Sequence, residues 1–111
     1  MKVKLEIIKG PQVGRSFEFT KSDTFLVGRA TDASFRLPEN DPCVSRRHFH
    51  LEINQPHCFF RDLGSTNPPL INGKMVLEKD LCNLDIIEVG LTQLKVFIEK
   101  EIKTSEVKCS K

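Results

Sequence analysis

The segment Val44–Ile53 reads VSRRHFHLEI, and it joins a short run of hydrogen-bond donors to an alternating strand pattern. From His48 onward, polar and apolar residues alternate with the two-residue period of a β-strand that buries one face. The side chains that we expect in the core are those of Phe49, Leu51 and Ile53, with His48, His50 and Glu52 on the opposite face. This stretch therefore predicts a strand that is entered from a polar loop.

Similar strand signals recur on both sides of this segment. They are short apolar or alternating runs ended by turn-forming residues, and they cover Val3–Ile7, Phe17–Phe19, Phe25–Val27, Phe35–Leu37, Cys58–Arg61, Leu70–Ile71, Met75–Leu77, Ile86–Val89 and Leu94–Ile98. Asn72-Gly73 is the strongest short hairpin signal, because both residue types tolerate a positive φ. About ten such strands predict an all-β fold, a β-sandwich of two mostly antiparallel sheets whose functional residues lie on loops at its ends.

Length and composition fit a single domain. The chain has 111 residues, of which 39% are hydrophobic, enough for one core. Its 17 Lys and Arg residues against 15 Asp and Glu residues give a net charge of +2, far below that of a protein that neutralises many phosphates along a duplex. The sequence shows no membrane span and no signal peptide, so we expect an intracellular protein, nuclear or cytoplasmic, with its four cysteines reduced.

Three loops carry the polar residues from which function is argued. Ser45, Arg46 and Arg47 place a hydroxyl beside two guanidinium groups, a donor set that suits phosphate, because each Arg fork pairs with two oxygens. Arg29 directly follows an apolar strand that ends at Gly28, and Gly64–Asn67 is a run of turn formers. Taken alone, these loops have ordinary interpretations as solvated surface and as a turn with side chains bonded to their own backbone.

Taken together, the motifs resemble the forkhead-associated (FHA) domain. They are Gly28-Arg29, Ser45-Arg46-Arg47-His48, Asp62-Leu63-Gly64-Ser65-Thr66-Asn67 and Asn72-Gly73. The resemblance covers Val3 to Glu99, and it implies a β-sandwich of about eleven strands with binding loops at one end, whose function is recognition of phosphothreonine in a partner protein. We therefore predict an FHA-like phosphopeptide-binding domain at residues 1–99 and a polar C-terminal tail or linker at residues 100–111.

The resemblance also implies roles for individual residues. The phosphopeptide-binding residues are Arg29, Ser45, Arg46, Thr66 and Asn67. Arg29 and Ser45 would contact the phosphate, and Thr66 would contribute further to that pocket. Arg46 would contact the phosphate or the peptide, and the Asn67 amide would bond the main chain of the ligand. Further candidates for a phosphate contact are Arg47 and Ser65. The loop-supporting residues are Gly28, His48, Gly64, Asn72 and Gly73.

Two positions depart from the family pattern. The usual Gly-Thr after the ligand-binding asparagine is replaced by Pro68-Pro69, which removes two N–H groups from the loop beside Asn67. Near the last hairpin the usual Gly-Asp is replaced by Leu84-Asp85, and we expect a different turn shape there.

Four other functions compete with phosphopeptide binding. An enzyme would use Ser45 and His48 as nucleophile and base, with Asp41 or Asp62 as orienter, but no oxyanion site is visible. A metal site would draw on His48, His50, Cys43 and Cys58, which fit no known zinc spacing. Nucleic acid is not the expected partner, because most of the eight Phe residues face inward. The remaining alternative is an FHA-like scaffold that binds its partner or dimerises without phosphate.

We predict a monomer that binds a phosphothreonine-containing protein or peptide. We expect no enzymatic activity, no metal, no cofactor and no membrane contact.

Overall fold

The computed structural model describes residues 2–38 and 40–99. Within these ranges the chain forms eleven β-strands: β1 Lys2–Lys9, β2 Ser16–Phe19, β3 Asp23–Gly28, β4 Phe35–Arg36, β5 Phe49–Asn54, β6 His57–Asp62, β7 Leu70–Ile71, β8 Lys74–Met75, β9 Glu78–Asp80, β10 Ile86–Val89 and β11 Thr92–Glu99. The predicted tail at residues 100–111 lies outside the described residues.

The strands form two sheets. One has the order β2-β1-β11-β10-β7-β8, and the other has the order β4-β3-β5-β6-β9. All of the paired strands run antiparallel except β3 and β4, which pair in parallel. The prediction of an all-β sandwich of two mostly antiparallel sheets is confirmed.

The core lies between the sheets, and the alternating pattern of each strand supplies it. Val3, Leu5 and Ile7 of β1 are at most 1% exposed, and Phe49 and Leu51 of β5 are fully buried. Phe49 and Phe60 pack with ring centroids 4.9 Å apart, and the six-stranded sheet covers them with further aliphatic side chains. Burial of this apolar surface is the main stabilising contribution to the fold.

The alternation fails at one residue. His48 is expected on the outer face with His50, but its side chain is completely buried, because β5 begins only at Phe49. His48 belongs to the preceding loop, where backbone direction rather than strand pleating decides which way a side chain points. His50, within the strand, is half-buried as an outer-face residue.

Turn residues take the conformations that their positions require. Asn72 and Gly73 have φ values of 53° and 86°, as the predicted hairpin between β7 and β8 needs. Leu84 has a φ of 74°, the left-handed conformation that favours glycine. At Leu84 the turn thus has a backbone conformation that glycine adopts readily.

Asp85 anchors the turn that precedes β10. Its carboxylate is 2% exposed and accepts hydrogen bonds from the Cys82 N–H and from Lys79 Nζ, both at 2.8 Å, and from Asn72 Nδ2 at 2.9 Å. Burial opposes the charge, but the three hydrogen bonds outweigh it and hold the pKa of Asp85 below its ordinary value.

The cysteines differ in state. Cys43 and Cys58 are free thiols, and burial raises the pKa of Cys58 to about 12. Cys82 is disulfide-bonded, so the expectation of four reduced thiols is wrong at this residue. Among residues 2–38 and 40–99, no helix is long and apolar enough to cross a membrane.

Candidate functional site

Strand pairing brings the three predicted loops to one end of the five-stranded sheet. Val27, near the end of β3, pairs with Phe49 at the start of β5, and Phe49 also pairs with Asp62 at the end of β6. The loops that follow β3, precede β5 and follow β6 must therefore meet. The antiparallel register thus places the loop residues next to Gly28, Phe49 and Asp62 beside one another.

Gly28 allows the first two loops to touch. A Cβ atom at this position would lie 2.2 Å from the Arg46 carbonyl oxygen and 2.9 Å from the His48 nitrogen, so no larger residue fits the present backbone. Beyond Gly28, the Arg29 N–H donates to the Ser45 carbonyl at 3.2 Å, and the Ala30 N–H donates to the Arg46 carbonyl at 2.9 Å. These contacts fix the chain around Ser45 against the start of the β3–β4 loop.

The Arg29 side chain is half-buried and held in place. Its Nε donates to the Val44 carbonyl, and its own carbonyl accepts a hydrogen bond from Arg36 Nε at 3.0 Å. Val44 is completely buried, which gives the Nε contact a rigid partner. The Nε bond constrains the plane of the guanidinium group, as a preorganised anion site requires.

Ser45 and Thr66 connect the second loop to the third. The Thr66 N–H donates to the Ser45 hydroxyl oxygen at 3.3 Å, and Asn67 Nδ2 donates to the Cys43 carbonyl at 3.4 Å. Because a hydroxyl that accepts one hydrogen bond keeps its own hydrogen, Ser45 retains a donor for a ligand. Thr66 and Asn67 are exposed, and Ser45 is half-buried.

His48 braces all of these segments from beneath. Its Nδ1 accepts the Ser45 N–H at 2.9 Å, so the proton lies on Nε2, which donates to the Asn67 carbonyl at 3.0 Å. Burial lowers the pKa of His48, while the hydrogen bond to Asn67 and the charges of Asp62 and Asp41 oppose that shift. Both ring nitrogens are engaged by main-chain groups, so His48 is not placed to take a proton from the Ser45 hydroxyl.

Asp62 shapes the third loop. Its carboxylate accepts the N–H groups of Gly64 at 2.9 Å and Ser65 at 3.1 Å, and also the Ser65 hydroxyl at 2.6 Å. Gly64 has a φ of 75°, as this tight turn requires. The Ser65 hydroxyl, predicted as a further phosphate contact, is thus engaged by the turn.

The remaining predicted residues lie around this centre. Arg46 is exposed, and Arg47 forms an exposed ion pair with Asp32 at 3.1 Å. Asn72 and Gly73 form the tip of the β7–β8 hairpin, where Asn72 bonds to Asp85 and to the Ile86 N–H rather than to the three loops. The structure therefore brings together the loops that carry the predicted binding residues and His48, but not this hairpin tip.

The carboxylates of Asp41 and Asp62 support the site in a role that the sequence analysis does not assign to them. Sequence reasoning assigns Asp41 and Asp62 only as orienters of a catalytic histidine, yet both accept backbone N–H groups of nearby loop residues. Such turns are a known property of aspartate in loops, so the local bonds had a sequence signal. No described part of the chain contains three or more His, Cys, Asp or Glu residues placed to hold a metal ion.

Comparison with known proteins gives matches to one family model and to two curated proteins. A family model described as the inner membrane component of T3SS, cytoplasmic domain, matches residues 6–100. The FHA domain-containing protein FhaA of Mycobacterium tuberculosis is 35% identical over 83 residues, and an FHA domain-containing protein of Arabidopsis thaliana is 28% identical over 91 residues. These alignments cover 75% and 79% of this chain but only 15% and 23% of the two relatives.

Solved structures of FHA domains also match this chain. A structure from a study of phosphothreonine-dependent FHA domain interactions is 31% identical with a TM-score of 0.81, covering 91% of this chain and 100% of that one. The FhaA FHA domain, solved in complex with the intracellular domain of another protein, is 33% identical with a TM-score of 0.75, covering 85% of this chain and 98% of that one. The chain therefore belongs to the forkhead-associated (FHA) domain family, whose members are protein-interaction modules.

Proposed function

We propose that this domain docks a phosphothreonine-containing segment of a partner protein and that it does so without catalysis. The phosphate would bind to Arg29 and to the Ser45 hydroxyl, with Thr66 beside them and Arg46 at the rim. Asn67 would bond the main chain of the ligand next to the phosphothreonine. In this role the domain joins the output of a kinase to the assembly of a complex.

The observation that carries the proposal is the junction of the three loops around Ser45. Its carbonyl accepts the Arg29 N–H at 3.2 Å, its hydroxyl accepts the Thr66 N–H at 3.3 Å, and its own N–H is held by His48 at 2.9 Å. A residue fixed by its N–H, carbonyl and hydroxyl loses little further freedom when a ligand binds. Such preorganisation favours affinity for a compact anion.

The chemistry of the ligand matches these donors. A phosphothreonine carries about −1.5 to −2 charge near neutral pH and has three strong acceptor oxygens. A guanidinium fork and a hydroxyl donor satisfy such a group, and each charge-assisted hydrogen bond contributes about 1.5–3 kcal/mol by mutational measurement. Preference for threonine over serine would come from one methyl group, which supplies about 1–3 kcal/mol of discrimination.

We further propose that the domain boundary lies at residue 99, that the protein is intracellular and monomeric, and that the domain has no enzymatic activity. The last is supported by the main-chain engagement of both His48 nitrogens.

The direct experiment is a calorimetric titration of the chain with a degenerate phosphothreonine peptide library. The matched libraries contain phosphoserine or unphosphorylated threonine at the same position. We expect binding that requires the phosphate and is stronger for phosphothreonine than for phosphoserine. Equal binding of the unphosphorylated library would instead support the phosphate-independent scaffold, and no binding by any library would contradict the proposal.

A further inference from the structure

Asp41 connects the binding loops to the opposite sheet. Its side chain is 3% exposed and lies in the β4–β5 loop. One carboxylate oxygen accepts the Cys43 N–H at 3.0 Å, and the other accepts the N–H of Leu91 at 2.9 Å. Leu91 belongs to the turn between β10 and β11 in the six-stranded sheet, 50 residues away in sequence. A single carboxylate thus joins the two layers of the sandwich at this end.

The β10–β11 turn is shaped to receive this carboxylate. Gly90 has a φ of 58°, and a Cβ atom there would lie 2.5 Å from the Asp41 Oδ2 atom and 3.0 Å from its Oδ1 atom. The turn therefore approaches Asp41 as closely as a glycine allows. Because both donors are backbone N–H groups, both side-chain oxygens must be acceptors, which an ionised carboxylate provides and an amide does not.

The segment that Asp41 anchors contacts two of the residues assigned to ligand binding. The Val44 N–H donates to the Asp41 carbonyl at 3.2 Å, so the anchored turn extends over residues 41–44. The Cys43 carbonyl accepts the Asn67 side-chain amide, and the next carbonyl, that of Val44, accepts Arg29 Nε. A shift of this short segment would therefore move the Asn67 and Arg29 contacts together.

We propose that Asp41 is a positioning residue for phosphopeptide binding. Its carboxylate fixes the Cys43 and Val44 carbonyls relative to the β10–β11 turn, and through them it sets the orientation of the Asn67 amide and the Arg29 guanidinium. This inference rests on the proposed function and adds the β10–β11 turn to the structure that supports the binding site. Asp41 itself does not touch the ligand.

The primary test is Asp41→Asn, which preserves size but presents an NH2 group to one of the two N–H donors. We expect affinity for a phosphothreonine peptide that binds the wild type to fall about tenfold, the loss expected when one well-placed hydrogen bond is disturbed. The matched control is Asp85→Asn. Asp85 is also a buried carboxylate that accepts a backbone N–H, but it lies at the other end of β10. This control should lower the melting temperature and leave the affinity unchanged.

A double-mutant cycle distinguishes positioning from general destabilisation. Asn67→Ala should weaken binding strongly in the wild-type background but much less in the Asp41→Asn background, because the amide is no longer held in place there. If Asp41 contributes only to stability, the effect of Asn67→Ala will be the same in both backgrounds. Additive effects would therefore overturn the proposal.

Hydrogen exchange on the wild type provides a test that does not depend on a variant folding. Peptide binding should slow exchange of the Cys43 and Leu91 amide hydrogens, because coupling between two sites is reciprocal. An unchanged Leu91 rate in the bound state would overturn the inference, as would wild-type affinity in a folded Asp41→Asn protein. If the wild type binds no phosphothreonine peptide, the proposed function itself is refuted, and this outcome is distinct from failure of the Asp41 assignment.

Discussion

The Ser45 hydroxyl oxygen accepts a hydrogen bond from the Thr66 N–H at 3.3 Å, so the β4–β5 and β6–β7 loops meet at a side chain that also faces the proposed ligand. The same two loops are joined a second time by the hydrogen bond from Asn67 Nδ2 to the Cys43 carbonyl. A change at Ser45 should consequently affect ligand binding more than folding.

Ser45→Ala should reduce affinity for a phosphothreonine peptide about tenfold or more, because a donor to a charged phosphate is lost. Stability should fall by no more than about 1 kcal/mol, since Ser45 is half-buried and a neutral hydrogen bond contributes that amount. Calorimetry and thermal unfolding measure the two effects separately. The control is Ser16→Ala at an exposed position of β2, which should change neither. An unaltered affinity in Ser45→Ala would remove this residue from the phosphate site.

Gly28→Ala should destabilise the domain by about 2 kcal/mol or more, because the new methyl group overlaps the Arg46 carbonyl and the backbone must move. Peptide binding should be lost with it. Gly64→Ala is the comparison, since a Cβ atom added to Gly64 would have nothing within 4 Å and only the positive φ is strained. Its cost should be about 1–2 kcal/mol. Urea unfolding that ranks Gly64→Ala as the more damaging change would contradict the close approach at Gly28.

Stability should fall on acidification because of His48. Burial lowers its pKa in the folded protein, so below the ordinary histidine value of about 6.5 the unfolded chain binds a proton that the folded chain resists. The contribution of neutral His48 to the free energy of unfolding is complete above about pH 6.5. It is lost as the pH falls toward the folded-state pKa of His48. Protonation of Nδ1 would also remove the acceptor for the Ser45 N–H.

Urea unfolding of the wild type at about pH 7.5 and about pH 5.5 measures this effect across the histidine range. Equal or greater wild-type stability at the lower pH would contradict this prediction.

Leu84→Gly should stabilise the domain by up to about 1 kcal/mol. A non-glycine residue in the left-handed region costs about 1–2 kcal/mol, and glycine loses part of that gain through its larger backbone entropy when unfolded. Leu84 is 51% exposed, so little buried area is lost. Leu91→Gly is the control, because Leu91 is 65% exposed and is not among the described positive-φ residues. It should be destabilising, and a destabilising Leu84→Gly would refute the strain argument.

Local signals are sufficient to predict most of the fold. The alternation in β1 and β5 identifies Val3, Leu5, Phe49 and Leu51 as core, and Asn72-Gly73 locates the β7–β8 hairpin. These features depend on side-chain period and turn chemistry, which are properties of adjacent residues.

The supporting structure of the site cannot be predicted in the same way. Periodicity places His48 on the wrong face because the strand begins one residue later, and periodicity does not locate a strand boundary. The positioning contact of Asp41 has no local signal, because its second donor, the Leu91 N–H, is distant in sequence. The burial of both residues results from loops that meet only in the folded sandwich.

The central claim is tested most directly by calorimetric titration of one phosphothreonine peptide, chosen from the library, against the wild type, Arg29→Ala and Arg61→Ala. Arg61 is the matched arginine, since it pairs with Glu52 and Glu78 on the outer face of the same sheet. We predict that Arg29→Ala weakens binding by about a hundredfold or more through loss of two charge-assisted hydrogen bonds, with the fold retained and Arg61→Ala binding as the wild type does. Wild-type affinity in Arg29→Ala, or an equal loss in both variants, would contradict a phosphate site at Arg29.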